Sequence, residues 1–374
     1  MKILITGSDG FIAKNLIMEL KNRNYGELLL CNRKTKPEEL EQYIEQCEVL
    51  IHLAGVNRPS SEDEYYIGNV KFTEHIVNLL KEKQKTIHII YTSTVMNSRH
   101  ITYRRSKQEA EEILNKYARQ SNSRLSIYRL SNVFGKWCRP NYNSVVATFC
   151  YHISHDQKIV IDDPNARINL IYVDDVVESI ISCIDAKDHL GVRYIEVKDI
   201  YQTTVGEVGE ILLSFRQAQR LFEIPSLEMP MRKKLYSTYL SYMEPEEYCY
   251  ELKMNTDERG AFTELLHSRD FGQVSVNIVK PGKEKGNHWH HTKVEKFFVV
   301  KGTALIKLCH MITGQVVDFI VSGEKMKVVD IPPGYTHSIA NIGTEDLVTV
   351  MWANEIFDQE KPDTYYEKVS SKDS

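Results

Sequence analysis

The chain has 374 residues, of which 42% are hydrophobic and 26% charged, and its formal net charge is −4. This length exceeds what one hydrophobic core usually organises, so the sequence predicts a soluble globular protein of two domains. The acidic balance argues against nucleic acid as a main partner, and seven scattered cysteines without a Cys-x-x-Cys pair argue against a disulfide framework.

The chain begins with an apolar strand at 3–6, a glycine-rich turn and an amphipathic helix. Such a turn presents backbone N–H groups and the positive end of the helix dipole to a phosphate. The pattern predicts a dinucleotide site that includes Gly7, Asp9, Gly10, Phe11 and Ile12. The first strand leaves no room for a signal peptide, and no apolar run is long enough to span a membrane. We therefore expect a cytoplasmic protein without membrane insertion.

The second strand, at 27–31, ends in Asn32, Arg33 and Lys34. An enzyme that prefers NAD usually has an acid about 20 residues past the turn, where it binds the ribose hydroxyls. Cations at this point suit the 2′-phosphate instead, so the sequence predicts NADPH, contacted by Asn32 and Arg33. The alternative is an ordinary solvated basic strand end.

Helices and strands then alternate: we predict helices at 38–47 and 69–83 and strands at 48–55 and 86–93. This order indicates a parallel sheet with right-handed crossovers. Ligands bind beyond the carboxyl ends of the strands in such sheets. The prediction therefore adds Leu53, Ala54 and Gly55 to the cofactor site.

Tyr103 and Lys107 are four residues apart and share one face of a predicted helix. An unperturbed tyrosine keeps its proton to about pH 10, and a nearby ammonium or an oxidised nicotinamide stabilises the phenolate. A hydroxyl from Thr94 or Ser93 could share the substrate oxygen. Exposed helices often carry such a pair by chance, but the glycine turn upstream favours catalysis.

The segments TGSDGFIA, HLAG, YTST, YRRSK, RLSNVFG and NLIYVDDV together resemble the extended short-chain dehydrogenase/reductases of the sugar-nucleotide branch. The resemblance implies a Rossmann-type domain with Tyr103 as proton donor and Lys107 as its activator and ribose contact. Thr94 matches the position of the family's catalytic Ser/Thr. Asn132 and Arg167 match positions that hold the nucleotide-sugar.

Beyond residue 143 the pattern loosens, as expected of a substrate-binding lobe. We predict helices at 144–154, 173–186 and 205–215, and one short strand at 158–163. Residues 216–250 are rich in Met, Pro, Tyr and charge without a sustained period. We place the domain boundary there, so the predicted domains are a reductase domain at 1–245 and a second domain at 246–374.

The second domain consists of short strands separated by Gly, Pro and Asn turns, a pattern typical of an all-β barrel. His288 and His290 lie on one face of a strand, whereas His291 points away. With Glu295, and with His337 from a later strand, these imidazoles can hold a divalent metal. Zinc is the first choice, and iron, manganese or nickel also fit the ligand types. A polar hairpin without metal is the alternative.

The spacing around His288, His290, Glu295 and His337 resembles the two cupin motifs, which implies these four residues as the metal ligands. The lead-in at 257–264 resembles the cupin-type 3,5-epimerases that act on nucleotide-linked 4-keto sugars. The resemblance implies that Arg259 and Glu264 hold the nucleotide-sugar. Candidates for moving the proton are Tyr335, His291 and Lys296.

A reductase domain and an epimerase-like cupin on one chain suggest two consecutive steps, inversion of carbon 3 beside a 4-keto group and reduction of carbon 4. The whole chain resembles the bifunctional capsular polysaccharide enzymes that make UDP-N-acetyl-L-talosamine-type 6-deoxy sugars. This implies a UDP-linked 4-keto-6-deoxy amino sugar as substrate, a bacterial route to UDP-N-acetyl-L-fucosamine and a homodimer. The alternatives are a reductase whose cupin only dimerises and binds metal structurally, and a non-enzymatic nucleotide-sensing regulator.

Overall fold

A computed structural model describes residues 1–59, 61–95, 101–186, 190–248 and 250–369. The chain divides into two compact units. The first contains Met1–Leu213 and Pro230–Glu244, and the second contains Ser214–Met229 and the residues from Pro245 onward. Residue 245 is thus one of the points at which the chain passes from one unit to the other.

The first 244 residues form nine strands and nine helices in the part that the structure describes. The strands are β1 (Lys2–Thr6), β2 (Glu27–Cys31), β3 (Val49–His52), β4 (His88–Thr94), β5 (Arg124–Leu130), β6 (Asn132–Phe134), β7 (Arg167–Tyr172), β8 (Val192–Ile195) and β9 (Tyr201–Thr204). The helices are α1 (Phe11–Asn22), α2 (Pro37–Gln46), α3 (Asp63–Tyr65), α4 (Phe72–Glu82), α5 (Ile101–Ser121), α6 (Val145–Ser154), α7 (Val173–Asp185), α8 (Val205–Arg220) and α9 (Pro230–Leu240). A π-helical segment, Tyr66–Lys71, joins α3 to α4.

Six of these strands form a parallel sheet in the order β2-β1-β3-β4-β5-β8. Alternate residues of each strand face opposite layers. Leu4 and Ile89 pack with α2, α4 and α5, whereas Ile3 and Ile90 pack with α1 and α7. The predicted Rossmann-type sheet is confirmed, and β6, β7 and β9 form a separate three-stranded sheet.

The structure differs from the sequence-based predictions at two places after residue 143: one predicted strand is wrong, and one helix was missed. Residues 158–163 form no strand, because Ile159 and Ile161 pack over Gly209 of α8 while Val160 is 78% exposed. The helix α9 was not predicted, because its buried residues include Thr238 and Tyr239 rather than a purely apolar stripe. Polar residues on a buried helix face conceal its period.

The later part of the chain begins with a 3-10 helix, Pro245–Tyr248, and continues almost entirely in strands. These are β10 (Asn255–Asp257), β11 (Gly260–Ser268), β12 (Gly272–Val279), β13 (Glu284–Trp289), β14 (Glu295–Lys301), β15 (Thr303–His310), β16 (Val316–Ser322), β17 (Val328–Ile331), β18 (Tyr335–Asn341), β19 (Leu347–Ala353) and β20 (Tyr365–Tyr366).

The strands of the second unit form two antiparallel sheets, in the orders β10-β11-β12-β19-β14-β17 and β16-β15-β18-β13-β20. Phe297 and Leu347 of the first sheet share one core with Ile306 and Ile339 of the second. Among the described residues no strand pairing joins the two sheets, so the unit is two packed sheets rather than a hydrogen-bonded closed barrel. The described helices include none long and apolar enough to cross a membrane.

Candidate active and metal-binding sites

The glycine turn after β1 lies against the end of β3. Gly7 has a φ of +69°, and a Cβ there would lie 2.7 Å from Ala54 Cα. Gly10 donates its N–H to Gly7 O at 2.8 Å and precedes α1 without any described side chain capping the helix. The N–H groups at Phe11 and Ile12, in the first turn of α1, therefore remain available to a phosphate.

The residues predicted to select the cofactor follow β2. Asn32 Nδ2 donates to Asp9 Oδ1 at 3.3 Å, which links the end of β2 to the glycine turn. Arg33 and Lys34 are exposed, and neither forms an ion pair with another described residue. Both cations are thus free to meet an anionic ligand at this edge of the sheet.

The loop after β3, which includes Leu53 and Gly55, is tied to α5 by Asn69. Asn69 Oδ1 accepts the N–H of Val56 at 2.7 Å, and its Nδ2 donates to Ser106 Oγ at 2.9 Å. A Cβ at Gly55 would lie 3.5 Å from Lys107 Nζ. The structure therefore brings the predicted cofactor loop and the predicted catalytic lysine together.

Tyr103 lies in the first turn of α5 and Lys107 one turn later. The Tyr103 ring lies 5.8 Å from the ring of Tyr65. Lys107 is only 4% exposed, and its Nζ lies 4.3 Å from the centre of the Tyr91 ring. A cation over an aromatic face is stabilised by the ring quadrupole, so Tyr91 supports the Lys107 ammonium.

Burial changes the acidity of both residues. It lowers the pKa of Lys107 to about 7, although Glu111 acts in the opposite direction. It raises the pKa of Tyr103 to about 12, and Tyr65 adds to the effect. The Tyr103 phenol thus keeps its proton, as a proton donor must, while Lys107 changes charge near neutral pH.

Ser93 and Thr94 are both buried at the end of β4. Ser93 lies on the same strand face as Tyr91, and its Oγ makes no hydrogen bond to any described residue. The assignment of the hydroxyl to Thr94 or to Ser93 stays a prediction.

The two residues predicted to hold a nucleotide-sugar lie on neighbouring strands. Asn132 Nδ2 donates to Asn169 O at 3.2 Å, and Asn132 is in register with Leu170 of β7. Arg167 starts β7 three residues earlier, which places it about 10 Å further along the strand. Both side chains therefore border the same small sheet without being neighbours, and their role stays a prediction.

His288, His290, Glu295 and His337 form one cluster in the second unit. Their ligand atoms all lie within 4.8 Å of one another. His288 and His337 face each other across the β13–β18 pair, His290 follows β13, and Glu295 begins β14. The two packed sheets therefore both contribute ligands to this cluster.

The cluster fits a divalent metal. His290 Nε2 and His337 Nε2 lie 3.4 and 3.2 Å from Glu295 Oε2, yet within the described chain none of these three buried atoms makes a well-aligned hydrogen bond. His290 Nδ1 lies 2.6 Å from Asp363 O, so Nδ1 carries the proton and Nε2 keeps its lone pair for the cluster. Buried donor atoms aimed at one point are what a metal would satisfy.

The protonation states of His288 and Glu295 also suit a metal. Burial lowers the pKa of His288 to about 4, and His337 adds to the effect. Burial disfavours ionised Glu295, but the close approach of His290 and His337 to its carboxylate outweighs burial and holds the pKa of Glu295 well below its usual range. Neutral imidazoles and a carboxylate are the ligand forms that metals bind.

The three candidates for moving a proton differ in position. Tyr335 lies on the same face of β18 as His337, two residues away. His291 is exposed and packs against Trp289 and Tyr365, and Lys296 pairs with Asp330. The geometry thus favours Tyr335 over His291 and Lys296.

Arg259 and Glu264 already have partners within the second unit. Arg259 donates to Asp257 Oδ2 at 2.6 Å beside the β10–β11 turn, and Glu264 pairs with His267. A nucleotide-sugar held by Arg259 and Glu264 would have to share or replace these contacts, and their role stays a prediction.

Sequence reasoning missed three residues that contact the predicted sites. Tyr91 lies under Lys107, Asp363 contacts the residue after His290 as well as His290 itself, and the His310 ring lies 4.9 Å from the ring of Tyr335. Only Tyr91 carried a usable signal, because it precedes Ser93 by two residues and shares its strand face.

Comparisons with known proteins agree with this organisation. Residues 3–195 match the family model described as the NAD dependent epimerase/dehydratase family, and residues 255–365 match the polysaccharide biosynthesis C-terminal domain. A UDP-2-acetamido-2,6-beta-L-arabino-hexul-4-ose reductase of Pseudomonas aeruginosa is 40% identical over 365 residues, which is 98% of each chain.

Solved structures show the same relationship. The crystal structure of the capsular polysaccharide assembling protein CapF from Staphylococcus aureus is 44% identical, covers 99% of this chain and 100% of its own, and superposes with a TM-score of 0.91. A Thermus thermophilus UDP-glucose 4-epimerase in complex with NAD is 16% identical, covers 65% of this chain and 99% of its own with a TM-score of 0.52, and shares the fold alone. The chain therefore belongs to the family of CapF-like capsular polysaccharide proteins, in which a domain of the NAD dependent epimerase/dehydratase family precedes a polysaccharide biosynthesis C-terminal domain.

Proposed function

We propose that the chain is a bifunctional nucleotide-sugar enzyme. It inverts carbon 3 of a UDP-linked 4-keto-6-deoxy-N-acetylhexosamine and then reduces the carbon 4 ketone with NADPH. One observation carries the proposal: a half-buried Tyr103 one helical turn from the buried Lys107, beside a phosphate-type glycine turn, occurs in the same chain as a largely buried cluster of three histidines and Glu295. The name of the Pseudomonas aeruginosa relative, a reductase of a UDP-linked 4-ketohexose, supports the choice of substrate.

The reduction uses the first unit. NADPH supplies the hydride that adds to carbon 4 of the sugar. Tyr103 donates its phenolic proton to the carbonyl oxygen, and the Lys107 ammonium stabilises the resulting phenolate. Thr94 or Ser93 orients the same oxygen through its hydroxyl. Asn132 and Arg167 hold the nucleotide-sugar.

Selection of NADPH over NADH rests on the end of β2. Asn32, Arg33 and Lys34 stand where an NAD-preferring enzyme has an acid, and Arg33 and Lys34 are exposed without an ion-pair partner in the described chain. A guanidinium there matches the charge and geometry of a 2′-phosphate. The preference for NADPH is therefore a matter of charge rather than of the fold.

The epimerisation uses the second unit, which we propose is a metal-binding cupin. A divalent metal, with zinc as first choice, would supply Lewis acidity that stabilises negative charge on the carbon 4 oxygen. His288, His290, Glu295 and His337 would hold it. Carbon 3 loses its proton from one face, which leaves an enolate, and regains a proton on the other face. Tyr335, on the same strand face as His337, is the group we propose for moving this proton. Arg259 and Glu264 hold the nucleotide-sugar.

The product follows from the two steps together. Inversion at carbon 3 and reduction at carbon 4 give UDP-N-acetyl-6-deoxy-L-talosamine, a precursor of UDP-N-acetyl-L-fucosamine for capsular or surface polysaccharide. We place the enzyme in the cytoplasm. None of the six cysteines that the structure describes forms a disulfide, which is consistent with a reducing compartment.

The proposal is tested by separating the two steps. Purified protein is incubated in D₂O with the UDP-4-keto-6-deoxy-N-acetylhexosamine, first without and then with NADPH, and products are analysed by NMR. We expect deuterium at carbon 3 without NADPH, and stoichiometric NADPH oxidation when it is added. If no deuterium is incorporated, the epimerase proposal is wrong and the chain is a reductase whose cupin is structural. If NADPH is not oxidised, the reductase proposal is wrong. Tyr103→Phe should incorporate deuterium and bind NADPH but not oxidise it, which separates an enzyme from a nucleotide-sensing regulator.

We also propose a homodimer formed through the second unit. The edge strand β16 exposes Phe319 and Ile320, the latter by 67%. An exposed apolar edge strand favours pairing with another chain. Sedimentation should show a dimer that Ile320→Asp converts to a monomer, and a wild-type monomer would overturn the proposal.

A further inference from the structure

The segment that connects the metal ligands His290 and Glu295 is held by one residue far along the chain, Asp363. Its carboxylate accepts three consecutive backbone N–H groups, from His291 at 2.9 Å, Thr292 at 2.8 Å and Lys293 at 2.9 Å. The Thr292 hydroxyl also donates to Asp363 Oδ2, at 3.1 Å. Successive N–H groups that converge on one anion form a nest, and such charge-assisted bonds are stronger than neutral ones.

The backbone of the same residue contacts a ligand directly. Asp363 O accepts a hydrogen bond from His290 Nδ1 at 2.6 Å. A histidine whose second nitrogen donates to a carbonyl has a fixed tautomer and ring orientation, and it presents the other nitrogen to a metal. Asp363 therefore contacts one ligand and clamps the residues that lead to the next.

The neighbours of Asp363 strengthen this attachment. The buried Lys293 Nζ donates to Pro362 O at 3.0 Å and lies 3.3 Å from Thr364 Oγ1. Two residues on, Tyr365 pairs with Trp289 in the β13–β20 ladder. The chain on both sides of Asp363 is thus bound to the strand and turn that carry the ligands.

The conformation of Asp363 is itself unusual. Its φ is +37°, in the left-handed region that favours glycine. An L-residue stays there only where the surroundings over-determine it, and an aspartate tolerates the region better than most residues. The bonds to 291–293 are the contacts that would hold it.

We infer that Asp363 is a positioning residue for the metal centre, setting the orientation of His290 and the course of the chain from His290 to Glu295. The inference rests on the metal site proposed above. The carboxylate has a specific part, because Oδ1 and Oδ2 both accept N–H groups. An asparagine would keep one of these oxygens and turn an amide NH₂ toward N–H donors.

The test compares metal binding by full-length variants that have been stripped of metal. Zinc affinity is measured by competition with a chromophoric chelator, and the Co²⁺ form is examined by its visible absorption, which reports ligand geometry. We expect Asp363→Ala to weaken zinc binding by about 10–100-fold and Asp363→Asn by less, with altered cobalt bands in both. The matched control is Asp358→Asn. Asp358 is exposed and accepts the N–H of nearby Glu360 at 2.8 Å, so this variant should bind zinc as the wild type does.

The outcomes separate the inference from the proposed function. If the wild type binds no zinc, the metal site is wrong and the inference falls with it. If the wild type binds zinc and folded Asp363→Ala binds it equally well with an unchanged cobalt spectrum, only the inference is wrong. Thermal unfolding shows whether Asp363→Ala is folded. If it is not, Asp363→Asn decides, and wild-type affinity and spectrum in that variant overturn the inference.

Discussion

Replacing Lys107 by methionine should make the first unit more stable while abolishing the reduction. Burial lowers the pKa of Lys107 from an ordinary value of 10.5 to about 7. Each pKa unit corresponds to about 1.4 kcal/mol, so keeping this ammonium in the folded state costs about 5 kcal/mol. The loss of the contact with the Tyr91 ring offsets about 2 kcal/mol of the gain. Methionine keeps most of the aliphatic packing, so we expect a net stabilisation of about 3 kcal/mol.

The effect should depend on pH with a definite sign. Below about pH 7 Lys107 is charged in both the folded and the unfolded chain, so the whole penalty is present. Between pH 7 and 10.5 the folded chain has lost this proton and the unfolded chain keeps it, so the penalty shrinks as pH rises. Methionine has no charge at any pH. The advantage of the variant is therefore greatest near neutral or acidic pH and is lost above about pH 10.5.

Differential scanning calorimetry of the NADPH-free chain at about pH 6 and pH 9.5 measures this difference. At the lower pH the transition of the first unit should rise by roughly 6–12 °C, and at the higher pH by clearly less. NADPH oxidation should fall by about 10²–10⁴-fold. Lys116→Met on the exposed side of α5 is the matched control and should leave the unfolding temperature of the first unit unchanged at both pH values. Equal increments at both pH values, or a less stable variant at the lower pH, would refute the reasoning.

Three further predictions concern the two sites. Arg33→Ala should raise the KM for NADPH about tenfold and leave that for NADH unchanged, in steady-state assays with either cofactor; an equal effect on both would remove the 2′-phosphate assignment. Tyr91→Leu should lower the kcat for NADPH oxidation, because Lys107 loses the aromatic ring that supports its ammonium. The decline of kcat at high pH should also begin at a lower pH than in the wild type. Tyr91→Phe keeps the ring and should retain the wild-type kcat and pH profile. His337→Ala should abolish zinc binding and deuterium incorporation at carbon 3 but spare NADPH oxidation with a substrate already inverted at carbon 3; loss of both activities in a folded variant would contradict two separate sites.

The sequence predicted the sheet of the first unit because its signal is local. Strands such as β1 and β3 are short apolar runs between helices of clear amphipathic period, and Gly7 and Gly10 mark the turn where a phosphate fits. The metal ligands were also predictable, because His288, His290 and Glu295 fall within one short segment whose spacing is informative. A motif whose residues lie close together in the sequence can be recognised without knowledge of the fold.

The contacts that tune these sites could not be predicted in the same way. Asp363 acts on the N–H groups of 291–293 from about seventy positions later in the chain, and nothing in its own neighbourhood marks it. Ile159 and Ile161 alternate as strand residues do, yet they pack on a helix. In both cases the deciding partner is distant in sequence, and local patterns carry no information about it.

The chemistry of the proposed reaction fixes the order in which the two sites act. The proton on carbon 3 is acidic only while carbon 4 is a ketone, because the carbonyl oxygen accepts the charge of the carbanion. Once Tyr103 has protonated that oxygen and hydride has reached carbon 4, the configuration at carbon 3 can no longer change. The cluster of His288, His290, Glu295 and His337 must therefore act first. Epimerisation alone is a reversible exchange between two ketones, and a reduction that consumes the inverted ketone removes it from the equilibrium, so a small inverted fraction suffices for complete conversion.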